Sequence, residues 1–450
     1  MKKYYSLLLC LTLLLSWQEA TASTITMKTG KAIGDIFAIA LNADVVATLT
    51  WGDGTTETYR SNGKLREFTV KSESLTITTD KDITAIYVCE NELTELDVSG
   101  AGASLLRLYC SDNALTKLDL SKCTSLISLD CQDNELNGLS IGSLKVEDVN
   151  VAGNQLSSIG LKSNGVSNLQ SLVCAGNKLS TISYLSSMTN MQTLLCQDNQ
   201  LSSLSISKCK ELRNLVASNN KLVALNTPAL TNLRKLYVDN NQLETLDFSN
   251  CSYIDLISAK ENKLKTITWS AKSTGVYDLL TYINFVNNNL FFNSFPTIYN
   301  YSTRKYTMAA YLMPQRPYHL MDAANINEAY ALRDIFVTNG WTSGVNASLT
   351  ITDANGENLV ANTDYTYKTG QLTFLKAHPG VIISATSRYY PDITLTTEPF
   401  NVIDPTGIAE IENDNDNIGN TVFDLQGRKV SNPQHQKGIY IVNGKKTVIR

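Results

Sequence analysis

Histidine is scarce in this chain, with 3 residues among 450. His319, His378 and His435 lie outside the regular region described below, so a Ser–His–Asp or Cys–His catalytic group would have to be assembled between domains. No cluster of histidine and cysteine has zinc-ligand spacing, and no glycine-rich phosphate loop is present. Spacing alone leaves open only paired carboxylates, as in glycoside hydrolysis. The sequence therefore predicts no enzyme, no metal and no cofactor.

Clusters of basic residues and long apolar runs are also missing. The chain has 38 lysines and arginines against 42 aspartates and glutamates, a net charge of −4, and no basic stripe. This composition argues against a nucleic-acid partner. After residue 22 no apolar run approaches the roughly 20 residues that a membrane-spanning helix needs. The sequence therefore predicts no transmembrane segment.

The first 22 residues have the pattern of a secretory signal. Lys2 and Lys3 form the positive start, Ser6–Trp17 is a short apolar run, and Ala20-Thr21-Ala22 is a small-residue cleavage site. We therefore expect a protein that is exported through the periplasm and is secreted or held at the outer cell surface.

What the chain does contain is an asparagine that recurs every 20 to 26 residues between residues 83 and 290. A leucine stands two residues after each of these asparagines. The pattern L-x-x-L-x-L/C-x-x-N-x-L with a period of about 20–29 is the signature of the leucine-rich repeat. It predicts a solenoid of about ten coils, with parallel strands on the concave face and an irregular or 3-10 convex side. The ladder asparagines are Asn91, Asn113, Asn134, Asn154, Asn177, Asn199, Asn220, Asn241, Asn262 and Asn288.

The asparagine ladder has a physical reason. A single coil cannot cover its own leucines, so neighbouring coils must stack and share one core. An asparagine side chain carries both donors and an acceptor, and it can satisfy backbone groups that are left open where each strand ends. We therefore expect every ladder asparagine to be buried at the same corner of its coil.

The cysteines also follow the repeat. Four of them stand three residues before a ladder asparagine, a slot that valine, alanine and phenylalanine fill in other coils. The side chain at this position therefore points into an apolar core, and we expect the cysteines there to be reduced and buried. This predicted cysteine ladder is Cys110, Cys131, Cys174 and Cys196.

Four other cysteines lie elsewhere in the repeats. Cys123, Cys209 and Cys251 share a slot ten residues after the asparagine, on the far side of the coil, and are too far apart to be bridged. Cys89 is expected to point outward from the first strand. It is either a reactive thiol or an inert surface residue.

This asparagine-anchored, cysteine-laddered repeat resembles bacterial leucine-rich-repeat proteins of the internalin J type. The resemblance covers residues 83–290, and the chain departs from the pattern where the cysteine is missing in several coils and in the long step before Asn288. The resemblance implies a surface adhesin that contacts a host or bacterial surface protein. The alternative is a structural or glycan-contacting protein of the cell envelope without a specific protein ligand.

The concave face is the candidate binding surface. Apolar residues come together on its middle strands, and an exposed apolar row predicts a protein-contact patch with tyrosines and an arginine as anchors. The alternative interpretation is that this face merely carries small side chains and has not been selected to bind a partner. The candidate ligand-binding residues are Tyr87, Arg107, Tyr109, Asp130, Val173, Leu195, Val216, Lys235, Tyr237 and Tyr282.

The segments outside the repeats predict further domains. Residues 23–82 are strand-like and threonine-rich, with a hairpin signal at Gly52-Asp53-Gly54, and predict a β cap for the solenoid. Residues 291–320 break the period and predict an exit cap and connector. Residues 321–402 alternate in short runs between turns, which predicts a β-sandwich. Its strand order resembles the immunoglobulin-like modules of surface proteins.

The last 48 residues divide into two parts. Residues 403–420 are acidic and rich in Asn and Asp, as in a flexible linker. Residues 421–450, with VFDLQGRKV at Val422–Val430, resemble the sorting tail of type IX secretion in Bacteroidota. This resemblance implies recognition by the outer-membrane export machinery.

Overall fold

The computed structural model describes most of the chain from Ser23 onward. The predicted signal segment, most of the predicted linker and His435 lie outside the described residues. The chain forms two compact units, residues 1–288 with 306–313, and residues 289–305 with 314–450. The described residues are 23–269, 280–295, 299–300, 305–306, 309–332, 347–368, 370–387, 390–405, 408–410, 422–424, 430, 438–442 and 445–449.

The first unit is built on one long sheet of 13 strands, of which all but two are parallel. Each coil contributes one three-residue strand to this sheet, and the corresponding strand of the next coil lies beside it in register. This arrangement is a leucine-rich-repeat solenoid, and it confirms the predicted fold class. The parallel strands are Ala85–Tyr87, Arg107–Tyr109, Ser128–Asp130, Asp148–Asn150, Ser171–Val173, Thr193–Leu195, Asn214–Val216, Lys235–Tyr237, Leu256–Ser258, Tyr282–Asn284 and Ala309–Tyr311.

The last of these strands lies in the segment that we predicted to be an exit cap. Ala309–Tyr311 pairs in parallel with Tyr282–Asn284 and adds one more coil to the sheet. No ladder asparagine accompanies this coil, so the repeat pattern could not show it. Leu312, next to the strand, is buried at 4% exposure.

The other side of each coil is irregular or forms very short strands and 3-10 turns. Parallel pairing there joins Asp119–Leu120, Leu139–Ile141 and Ile159–Gly160, and separately Thr245–Asp247 and Thr266–Thr268. Between the two sides, the central residue of each parallel strand from Ala85–Tyr87 to Tyr282–Asn284 and the leucines after the asparagines are buried. Each buried leucine contributes about 1.5–3 kcal/mol, so stability accumulates along the stack. The 3-10 turns of the described residues are Ser99–Ala101, Val166–Asn168, Leu185–Ser187, Thr227–Ala229 and Phe292–Ser294.

The β cap closes the first coil from both sides. Ile36–Leu41 pairs antiparallel with Ala85–Tyr87 and extends the long sheet, followed by Arg66–Thr69 at its edge. The remaining cap strands form a separate five-stranded sheet that also takes in Leu93–Asp97 of the first coil. That sheet contains the predicted hairpin around Gly52-Asp53-Gly54. Its strands, in spatial order, are Thr56–Arg60, Val46–Trp51, Ser74–Thr79, Thr24–Thr29 and Leu93–Asp97.

The second unit contains two sheets whose inner faces meet where the ring of Phe374 packs edge-on against Phe400, with centroids 6.0 Å apart. Its immunoglobulin-like character stays a prediction. One sheet contains Ala323–Asn325, Phe400–Ile403, His378–Ser387, Ser348–Thr352 and Tyr390–Thr396. The other contains Ala329–Ala331, Gln371–Phe374 and Tyr365–Lys368.

The predicted tail folds into a sheet of four strands, and one of them, Ile408–Glu410, comes from the predicted linker. The other three are Val422–Asp424, Gly438–Val442 and Lys445–Ile449. Two further short strands, Tyr299–Asn300 and Lys305–Tyr306, pair with each other and precede the strand Ala309–Tyr311 in sequence.

Candidate functional site

The asparagine ladder sets the geometry of the long sheet. In the sixth coil, Asn199 Nδ2 donates to the carbonyls of Cys174 at 2.9 Å, Gln197 at 3.1 Å and Cys196 at 3.3 Å. Its Oδ1 accepts from the backbone N–H of Leu179 at 2.9 Å. Each ladder asparagine after the first makes the same contacts, so every one joins its own coil to the coil before it. All are buried except Asn113, which is half-buried.

The first ladder asparagine joins the stack to the cap. Asn91 Nδ2 donates to the carbonyl of Ala38 at 2.7 Å, and its Oδ1 accepts from the Ala38 N–H at 2.9 Å. The cap strand therefore takes the place that a preceding coil would occupy.

The residue before each ladder asparagine turns the chain out of the strand. It adopts a positive φ of 50° to 62° in all ten coils. Glycine, asparagine and aspartate tolerate this conformation best, and they occupy eight of the ten positions. Glu90 and Glu261 are the exceptions. We refer to this line of turns at the ends of the strands as the turn edge.

The cysteine ladder lies in the core. Cys110, Cys131, Cys174 and Cys196 are all at 0% exposure, and all eight cysteines of the described residues are free thiols. Burial raises the pKa of the Cys174 thiol to about 12. These thiols therefore pack as small apolar side chains.

The expectation for Cys89 was wrong. Its side chain is at 6% exposure and does not point outward. The first strand ends at Tyr87, so the alternation of side chains stops before Cys89, which lies at the beginning of the turn. The ring of Tyr87 lies close to it, and the Cys89 thiol is the main cause that raises the pKa of the Tyr87 hydroxyl.

This arrangement predicts that the folded protein has no fast-reacting thiol among residues 23–450. Each thiol is buried, so modification by a disulfide reagent at pH 8 should require opening of the structure and run at least about a hundredfold slower than in denaturant. Thiol release followed by absorbance checks this. Cys89→Ala should leave the time course unchanged, and a rapid phase that disappears in this variant would contradict the prediction.

The open face of the long sheet consists of the first and third residues of each strand, whose side chains point away from the core. Val173, Leu195 and Val216 occupy equivalent positions on three adjacent strands, paired in register. All three are half-buried by their neighbours, so their outer surfaces form one continuous apolar strip. Tyr237 follows directly on the next strand.

Aromatic residues stand at both ends of this face. The rings of Tyr87 and Tyr109 are 6.4 Å apart, and those of Tyr282 and Tyr311 are 5.6 Å apart. Tyr311 is 54% exposed and belongs to the strand that the repeat pattern did not show, so our reasoning from sequence missed it.

The charged candidates lie apart from one another on this face. Arg107 and Lys235 are exposed at first positions of their strands, and Asp130 is half-buried at a third position. Burial raises the pKa of the Asp130 carboxyl, and repulsion from Asp112 and Asp133 adds to this effect. The ten candidate residues thus share one face but form no single compact site.

A cavity of about 460 Å³ opens at the cap end of this face. Its lining includes Ala40 and Leu65 from the cap together with Ala85, Tyr87 and Tyr109 from the first two coils. Ala40 lies opposite Tyr87 in the antiparallel pair of strands. Nothing in the repeat pattern could place the cap residues here, because the pairing of cap and coil is not local in sequence.

Within the described residues, no group of three or more histidine, cysteine, aspartate or glutamate side chains could hold a metal ion. No helix among these residues is long and apolar enough to cross a membrane.

The parallel one-strand coils and the asparagines that join them define the first unit as a leucine-rich-repeat domain. No family model and no curated protein sequence matches the chain. It is similar to the functional domain of InlJ from Listeria monocytogenes, which includes a cysteine ladder. That similarity has 16% identity over 73% of this chain and 93% of that chain, with a TM-score of 0.42.

The chain is also similar to two further solved structures. The leucine-rich-repeat ectodomain of the receptor kinase GASSHO1/SCHENGEN3 from Arabidopsis thaliana, in complex with CASPARIAN STRIP INTEGRITY FACTOR 2, is 25% identical over 48% of this chain and 28% of that chain, with a TM-score of 0.41. YopM from Yersinia enterocolitica is 20% identical over 42% of this chain and 43% of that chain, with a TM-score of 0.32.

Proposed function

We propose that this chain is an exported adhesin that binds a protein partner on the open face of its long sheet. The observation that carries the proposal is the apolar strip of Val173, Leu195 and Val216, continued by Tyr237. Side chains held in register on a hydrogen-bonded sheet lose little freedom on binding, which favours a rigid contact surface. The tyrosine pairs at both ends supply amphipathic rings of the kind that anchor interfaces.

Export and surface attachment belong to the same proposal. Lys2, Lys3 and the apolar run before Ala22 support passage across the inner membrane. The tail from residue 421 supports recognition by type IX export machinery, because its sequence resembles known sorting tails. The partner in this proposal is a surface protein of a host or of another bacterium.

The experiment places one charge in the apolar strip. Leu195→Asp should weaken binding to the partner at least about tenfold, because a desolvated carboxylate would replace a central apolar contact. The purified protein is tested by biolayer interferometry against panels of host matrix proteins and bacterial surface proteins, and Tyr109→Ala is tested beside it.

The matched control is Val223→Asp. Val223 is 58% exposed and lies outside the long sheet, so the same change of charge there should leave binding intact. All variants must keep the melting temperature of the parent protein. If Leu195→Asp and Tyr109→Ala both bind like the parent, the open face is not the binding surface.

A second candidate function is contact with a glycan. A groove of about 620 Å³ lies between the five-stranded cap sheet and the far side of the first two coils, and its lining is rich in hydroxyl groups. Hydroxyls and carboxylates that lie side by side suit a polyhydroxylated ligand. Retention on polysaccharide columns that Leu195→Asp does not change would favour this alternative. The hydroxyl residues of the groove are Thr26, Ser74, Thr76, Thr94 and Thr116.

A further inference from the structure

We propose that the cavity beside Tyr87 and Tyr109 takes the side chain of an arginine or lysine that a protein partner presents. The inference rests on the proposed function of the open face, since the cavity forms the cap end of that face. It assigns to the partner a chemistry that the apolar strip alone does not specify.

The shape of the cavity fits a long side chain with an apolar stem. Ala40 and Ala85 are small and leave space between their larger neighbours, while Leu65 of the cap is 54% exposed beside them. Tyr87, 39% exposed, and Tyr109 contribute rings that are inclined at 44° to each other. At about 460 Å³ the volume is in the usual range for a ligand site. The methylene groups of an arginine or lysine pack well against such a surface.

The charge next to these rings is negative. Glu90, Asp112 and Asp133 lie on the turn edge of the first three coils, and Asp130 lies at the end of the third strand. In the described part of the chain, none of these four carboxylates forms an ion pair.

The negative charge of these carboxylates contributes to raised pKa values at two titratable groups. The pKa of Tyr87 is raised by the Cys89 thiol first, and also by burial and by the carboxylates of Glu90 and Asp112. The pKa of Asp130 is raised by burial first, and then by its neighbours on the turn edge. A cation placed here would relieve the repulsion, and its position over the tyrosine rings is favourable in itself.

The cations that adjoin the lining residues do not cancel this charge. Lys64 and Arg66 flank Leu65 in the cap, and Arg66 lies over the rings of Tyr59 and Phe68. Arg107 stands two residues before Tyr109, at the opposite end of its strand. Three cations against four carboxylates leave the region negative. The later part of the turn edge differs, because Lys178, Lys221 and Lys263 follow their ladder asparagines there. These lysines offset Asp198 and Glu261 on the later turn edge, so the net negative charge is concentrated in the first coils, where the cavity lies.

The test uses small probes and needs no partner. N-acetyl-arginine amide and its neutral isostere N-acetyl-citrulline amide are titrated into the purified protein and followed by NMR. The arginine probe should bind at least about tenfold more tightly than the citrulline probe. Tyr109→Leu should weaken binding of arginine about tenfold, and Asp112→Asn about two- to fourfold.

Tyr184→Leu is the control, because Tyr184 is an exposed tyrosine outside the long sheet, and it should leave binding of the arginine probe unchanged. Tyr87→Leu serves if Tyr109→Leu fails to fold. Equal binding of both probes, or arginine binding that both tyrosine variants retain, overturns the inference. Failure of Leu195→Asp to affect a protein partner would refute the proposed function without changing these probe titrations, so the two failures can be told apart.

Discussion

Asn199→Ala should lower the free energy of unfolding by about 3–5 kcal/mol, because it removes a side chain that satisfies several buried backbone groups at once. The N–H of Leu179 would lose its partner, and the carbonyl of Cys174 would keep only the longer bond from Asn177 at 3.3 Å, at a position that is only 9% exposed. Each buried group left without a hydrogen bond costs about 1–3 kcal/mol. Because Asn199 joins two coils near the middle of the stack, we also expect cooperativity across that point to fall.

Urea denaturation followed by circular dichroism measures this change. Gln200→Ala is the matched control, since Gln200 is exposed and adjacent, and it should change the stability by less than about 0.5 kcal/mol. A loss below about 1 kcal/mol for Asn199→Ala would mean that water or a shift of the backbone replaces the side chain.

Trp51→Ala in the cap should have an effect of similar size, about 3–5 kcal/mol, because it empties the centre of the cap core. Trp51 is at 1% exposure, and its ring packs edge-on against Phe37 with centroids 5.8 Å apart. Loss of the cap would expose the edge of the strand Ala85–Tyr87, which Ile36–Leu41 covers. We therefore expect aggregation as well as lower stability.

Trp51→Phe separates the volume of this ring from its polarity. The indole Nε1 is buried and has no hydrogen-bond partner among the described residues, so phenylalanine removes an unsatisfied donor while it keeps most of the ring. This variant should lose less than about 1.5 kcal/mol. The melting temperature, measured by differential scanning calorimetry, should be highest for the parent protein, lower for Trp51→Phe and lowest for Trp51→Ala. An alanine variant as stable as the phenylalanine variant would show that the cap core tolerates the cavity.

The fold class could be predicted because its signal is local. An asparagine and the leucine that follows it recur at one period, and the structure turns that period into one strand per coil. The strand Ala309–Tyr311 escaped prediction because it joins the sheet by pairing with Tyr282–Asn284, without the asparagine that marks the other coils. Cys89 was misplaced because alternation along a strand was continued past the residue where the strand ends.

The candidate site was predictable only in part. Register along the long sheet follows from the repeat, so the strip of Val173, Leu195 and Val216 could be derived from their equivalent positions. The cavity could not, because Leu65 and Ala40 reach it through antiparallel pairing of the cap with the first coil. Nothing in the spacing of the repeats encodes that contact.

The contacts of the asparagines have a consequence for how such a chain can change its length. Each one is bonded to the coil behind it in the same way, so a coil meets the same partners whichever coil precedes it. Removing or duplicating the 21 residues from Asn199 to Asn219 would restore the same bonds across the new junction. Unequal recombination within the gene can therefore lengthen or shorten the protein by whole coils, and so alter its reach, while each junction remains as well formed as before.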